Sequence, residues 1–149
     1  MRTTLGRAWV HRSGSFAAGL LVFALLQGCA TQPQSTSEAD PVPEGRILSR
    51  EWLTPAPGTS EITVKRDPAF GGGACAHTLY LDGRPQAEVR QGEKITLYVR
   101  PGRHVLGATV PTICGGSNSE VGVATGAGER HMFRLSLQDG AVKVAPTAF

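Results

Sequence analysis

From Thr59 onward, apolar and polar residues alternate in short runs, and a glycine- or proline-bearing turn interrupts them every 8 to 12 residues. A side-chain period of two belongs to strands with one buried face. Runs this short leave no room for a helix of ordinary length. The predicted strands are Glu61–Arg66, Cys75–Leu81, Pro85–Val89, Lys94–Val99, Arg103–Val110, Glu120–Ala124, Arg130–Leu137 and Ala141–Val144. Lys94–Val99 alternates most cleanly, with Ile95, Leu97 and Val99 on one face. Asp82-Gly83 and Asp139-Gly140 are hairpin signals, because both residue types tolerate positive φ. Gln91-Gly92, Pro101-Gly102 and Gly126-Ala127-Gly128 mark further turns, while Gly71-Gly72-Gly73 and Gly115–Ser119 are loops. Gly92-Glu93-Lys94 and Gly128-Glu129-Arg130 echo each other and read as one turn used twice. The pattern predicts an all-β fold, a small sandwich or barrel of seven or eight short strands over residues 59–149. Nineteen glycines and ten prolines fit that turn density.

The first 28 residues are different. Arg2, Arg7 and Arg12 form a basic leader, followed by an apolar stretch from Phe16 to Leu26. That stretch falls well short of the roughly 20 residues a membrane-spanning helix needs, and has the dimensions of a signal-peptide core. Leu26-Gln27-Gly28-Cys29 follows directly and resembles the bacterial lipobox. The resemblance implies cleavage before Cys29, a diacylglycerol on its thiol and an acylated amino terminus such as palmitate would supply, several chains together anchoring stably where one holds marginally. Ala30, where the lipobox family uses Asp for inner-membrane retention, implies delivery to the outer membrane with the domain facing the periplasm.

Removal of the leader also removes the charge argument. The chain carries 15 basic and 12 acidic residues, and three of the basic ones lie in the leader. What remains is formally neutral, with little long-range field to steer a nucleic acid. Residues 29–58 read as a lipidated cysteine and a linker. Ala30 to Gly45 has Val42 as its only sizeable apolar side chain and predicts a flexible tether of roughly 20–25 Å. Within the linker, Ile47–Leu53 is apolar enough to form a helical turn docked on the domain edge, to bind a partner, or to stay disordered.

With Cys29 acylated, Cys75 and Cys114 are left in a chain exported to an oxidising compartment, where paired cysteines form disulfides. No CxxC spacing favours redox or metal chemistry. A bridge across 39 positions stabilises a small domain by roughly 4 kcal/mol in the chain-entropy treatment.

A search for chemistry yields no enzyme signature. Ser117 and Ser119 lack a GxSxG elbow, the glycine loops lack a following GK[ST], and the carboxylates are scattered. His77, His104 and His131 are the imidazoles of the mature chain, and no local ligand pair such as HxxxH joins them. No cofactor is expected.

The segment Cys75–Ala108, CAHTLYLDGRPQAEVRQGEKITLYVRPGRHVLGA, runs as an apolar strand into Asp-Gly, a short return strand, Gly-Glu, an alternating strand and Pro-Gly-x-His. It resembles the PEGA-like and DUF2846-like surface domains, as do Cys114-Gly115-Gly116, Gly126–Arg130 and Phe133-Arg134 further on. The resemblance covers about residues 60–137. It implies a transthyretin- or immunoglobulin-like antiparallel sandwich in an exported, often lipidated protein, with nothing catalytic to carry over. The expectation is a non-catalytic binding or envelope-assembly module, with an envelope protein as partner, meeting it at the Pro85–Val89 edge or the Gly115–Ser119 loop. The alternative is a small-ligand or metal carrier using His77, His104 and His131.

Overall fold

The computed structural model describes residues 33–69 and 74–148; the leader, Cys29, the Gly71-Gly72-Gly73 loop and Phe149 lie outside them. Nine strands are formed among the described residues: β1 (Asp40–Pro41), β2 (Ser60–Arg66), β3 (His77–Leu81), β4 (Arg84–Val89), β5 (Glu93–Val99), β6 (Gly102–Thr109), β7 (Asn118–Thr125), β8 (Arg130–Gln138) and β9 (Ala141–Pro146). The eight expected strands are all present, and β1 is additional. They make two sheets, β1-β5-β2-β8-β9 and β4-β3-β6-β7. Inward residues of both meet in one core that includes Ile62, Val64, Leu79, Leu97, Leu106 and Leu135. The fold is thus an all-β sandwich, largely antiparallel as expected. Two pairs depart from that rule: β2 runs parallel to β8, and β1 to β5. The chain passes through the opposite sheet between β2 and β8, so it returns in the same direction.

The hairpin grammar is seen in the backbone. Asp82 and Asp139 have φ of 49° and 50°, each followed by a glycine of positive φ. The echoed turns are the same device. In both, the backbone N–H of the glutamate donates to the carbonyl three residues back, Glu93 to Arg90 and Glu129 to Gly126, each at 3.2 Å. In both, the glutamate carboxylate accepts the N–H of that same first residue, at 2.8 Å and 2.7 Å.

From residue 33 onward, the stretch read as a tether up to Gly45, and the linker after it, lie on the sandwich and close one of its sides. β1 pairs with the start of β5, and the Asp40 and Val42 N–H groups donate to the carbonyls of Gly92 and Lys94. Arg46 forks onto the Glu93 carboxylate, with both side chains mostly buried, and also donates to the Glu88 carbonyl at 3.2 Å. Ile47 bridges to Ala87, and Leu48 and Ser49 both donate to the Gln86 carbonyl. Trp52 accepts the Tyr98 N–H at 2.7 Å. Val42, Ile47, Trp52 and Leu53 pack on the core. This strap covers the edges of β4 and β5 together. Of the readings of 47–53, docking on the domain edge is the one observed, with a short 3-10 turn placed earlier, at Glu44–Arg46.

The opposite side is closed by side chains. The Ser117 and Ser119 hydroxyl oxygens accept the Val142 and Val144 N–H groups at 2.9 Å and 3.1 Å, lacing β7 to β9. Exposed strand edges are templates for unwanted pairing, and both sides of this sandwich are covered. β4 is the edge strand that Pro85 suggested, but residues 46–49 bond along it, so the contact surface expected at Pro85–Val89 is already occupied. The serines of the Gly115–Ser119 loop are engaged internally as well.

Candidate functional site

One end of the sandwich carries the β2–β3, β4–β5, β6–β7 and β8–β9 connections and receives the N-terminal segment. Cys75 precedes β3 and Cys114 closes a 3-10 turn after β6. They form the expected bridge, with Cα atoms 6.4 Å apart. Gly116 follows at φ 55°, and a Cβ there would stand 3.2 Å from the Thr112 Cα. A larger residue would push the turn open.

Alternation along β2 puts Arg66 inward at this end, where its guanidinium donates to the carbonyls of Cys75 and Val89. Burial lowers its pKa to about 10, against the raising influence of Glu93. His77 lies beside it, 1% exposed. Burial first, and the Arg66 charge second, press the imidazole to about 4. It is neutral at neutral pH, and its Nδ1 finds no hydrogen-bond partner among the described residues.

On the outer face of the same sheet, Lys94, Lys65 and Arg134 occupy adjacent register positions across β5, β2 and β8. Lys65 is 1% exposed, and residues Gln34 and Thr36 bond to its neighbours Asp67 and Lys94. Asp67, whose side chain is fully buried, answers the row: it lies 3.2 Å from Lys65 Nζ and 3.0 Å from Arg134 Nε. It also accepts the Gln34 N–H at 3.3 Å, while Lys94 Nζ donates to the Thr36 carbonyl at 2.6 Å. The polar segment is thus seated by charge and hydrogen bonds.

The other end holds His104 and His131. His104 Nδ1 meets the Asp82 carboxylate at 2.7 Å and Nε2 meets the Arg100 carbonyl at 2.8 Å. Both partners are acceptors, so only the imidazolium satisfies both. Partial burial opposes the charge, but the bonds to Asp82 and Arg100 outweigh it and raise the pKa. Asp82 is lowered: burial opposes this, and bonds from His104 and the Val105 N–H prevail. His131 pairs with Glu129 at 3.0 Å. The three histidines do not come together, since His77 sits at the disulfide end. No group of three His, Cys, Asp or Glu side chains able to hold a metal is found among the described residues.

On the outer face of the second sheet, Tyr80, Val105, Thr109, Asn118 and Glu120 rim an open hollow of about 240 Å³. Gly107 floors it, flanked by Tyr80 and Glu120. Glu120 supplies the one carboxylate among its lining residues.

Sequence reasoning missed the Lys65–Asp67–Arg134 cluster and the exposed Ile113. The parity of β2 already pointed Arg66 inward, which was the available signal. No protein-family model matches the chain, and no curated protein matches it.

Proposed function

We propose that this is a lipid-anchored protein of the bacterial envelope, held through acylated Cys29 on the periplasmic face of the outer membrane. Its sandwich, akin to the PEGA-like and DUF2846-like domains, serves as a non-catalytic binding or assembly module. The observation that carries this reading is Leu26-Gln27-Gly28-Cys29 behind an arginine-bearing leader and a short apolar core. Two features support it. Cys75 and Cys114 form a bridge, as suits an oxidising compartment. The Gln34 N–H bonds to Asp67 on the sandwich, so an anchor at Cys29 would hold the folded body through five residues.

Intact mass after membrane extraction, with and without reductant, tests the reading. The expected species begins at Cys29, carries acyl mass and gains about two daltons on reduction as one disulfide opens. Cys29→Ala releases the protein from the membrane fraction. A native product that begins at Met1 with titratable thiols overturns the proposal. A pull-down from solubilised membranes then tests for the envelope partner.

A further inference from the structure

Ile113 is 94% exposed. A single exposed apolar residue is ordinary on a protein surface, so its setting decides what it means. The ten residues from Val110 to Ser119 contain no Asp, Glu, Lys, Arg or His. Ile113 stands in the 3-10 turn Thr112–Cys114, whose Cys114 is tied to Cys75 and whose last carbonyls are closed by Gly115 in the left-handed region. An apolar side chain is therefore held outward on an uncharged, covalently stiffened tip.

That tip is at the end of the sandwich where the N-terminal segment arrives, because β6 ends there and β5 begins there beside β1. Four peptide units separate Cys29 from Pro33, a reach of at most about 14 Å in any conformation. β2 alone, with seven residues, extends about 23 Å. An anchor at Cys29 thus keeps this end against the bilayer and leaves the Asp82-Gly83 and Gly126–Gly128 turns outside its reach.

We infer that Ile113 and its uncharged turn form a second contact with the lipid surface, seated in the headgroup region beside the acyl anchor. The inference rests on the lipid-anchor reading. The anchor holds the molecule at the membrane, and Ile113 sets its orientation by removing apolar surface from water.

The test uses the full processed protein in vesicles containing lipids brominated near the headgroup. Trp52 is the sole tryptophan after Cys29, since Trp9 lies in the leader. Ile113→Trp, compared with Ala127→Trp at the far end, is expected to lose emission to the bromines while Ala127→Trp does not. Ile113→Asp, in a chain with the Ser35→Trp reporter on the N-terminal segment, reduces quenching of that reporter as the end lifts away. If intact mass shows acylated Cys29 but Ile113→Trp and Ala127→Trp are quenched equally, the orientation inference falls and the anchor stands. If no acyl mass is found, both fall.

Discussion

Replacing Asp67 by Asn removes the charge that answers two neighbouring cations, Lys65 and Arg134, and keeps an oxygen for the Gln34 N–H. At an effective dielectric constant of about 20, the 3.2 Å contact between Lys65 Nζ and Asp67 amounts to about 5 kcal/mol of gross attraction. The net effect is set by what remains behind, a lysine 1% exposed and flanked in register by Lys94 and Arg134. Breaking a buried pair from one side costs about 3–5 kcal/mol. Arg134 is 24% exposed and reaches water, so it contributes less than about 1 kcal/mol of the loss. The expected deficit, about 3–5 kcal/mol, is a large share of the roughly 5–15 kcal/mol of an ordinary domain. Urea unfolding followed through Trp52, which packs against the core, reads it directly. A second variant, Lys65→Met with Asp67→Asn, removes the stranded charge and restores most of the stability. An Asp67→Asn deficit below about 1 kcal/mol, or a double variant no more stable than the single, refutes the account.

Reduction of the Cys75–Cys114 bridge, or its replacement by serines, is expected to lower stability by roughly 4 kcal/mol for a separation of 39 residues, measured as the shift in urea midpoint with and without reductant. His77, at about 4 in the folded state and near 6.5 when unfolded, takes up its proton on unfolding first. Stability therefore falls as pH drops from about 6.5 to 4, by on the order of 3 kcal/mol, and His77→Gln flattens that slope. His104 works in the opposite sense: its raised pKa supplies stability that is full below about 6.5 and lost as pH rises through the folded value. Asp82, lowered, keeps its share above about 4 and loses it on further acidification; half-exposed, the clasp is worth less than about 1 kcal/mol. Histidine resonances titrating on opposite sides of 6.5 check both assignments. Leu48→Pro deletes the N–H bonded to the Gln86 carbonyl from a half-exposed position, and is expected to free the β4 edge and produce concentration-dependent association in sedimentation.

The strands were legible because alternation and turn chemistry are local. Ile95, Leu97 and Val99 declare their face, and Asp82-Gly83 and Asp139-Gly140 their reversals, without reference to the rest of the chain. The strap was not. Its contacts are backbone bonds to the β4 and β5 edges, and nothing in Asp40-Pro41 or Ile47-Leu48 announces which edge lies nearby. Residues 34–39 misled for a related reason. Polarity argues against apolar burial, yet this segment is seated by Asp67, Lys94 and the Gly92 carbonyl, partners distant in sequence. Lys65 then reads as a solvated outward residue by parity, yet it is buried where that segment bonds to its neighbours Asp67 and Lys94. The histidines were equally beyond local rules, since their even spacing along the chain bears no relation to which end of a sandwich each strand delivers it to.

The covering of both sides narrows how such a module meets another protein. Strand addition needs an open row of N–H and C=O groups. Here β4 and β5 are occupied by the strap, and β7 and β9 are laced through Ser117 and Ser119. What stays open on this sandwich is its faces and ends. The outer face of β3, β6 and β7 is the better suited face, because Gly107 lets Tyr80, Val105 and Glu120 surround a hollow instead of a flat row of side chains. The other sheet's outer face is partly roofed by the N-terminal segment over Lys65. Under the proposed anchoring at Cys29, that roof would lie at the membrane end, and the face bearing the hollow would run from the lipid toward the His104–Asp82 clasp. The clasp bonds the β3–β4 turn to the start of β6, so the strands that frame the hollow are held at their far end by the ion pair and at their near end by the disulfide. The clasp and the bridge thus tie β3 to β6 at one end of that face and to the β6–β7 connection at the other.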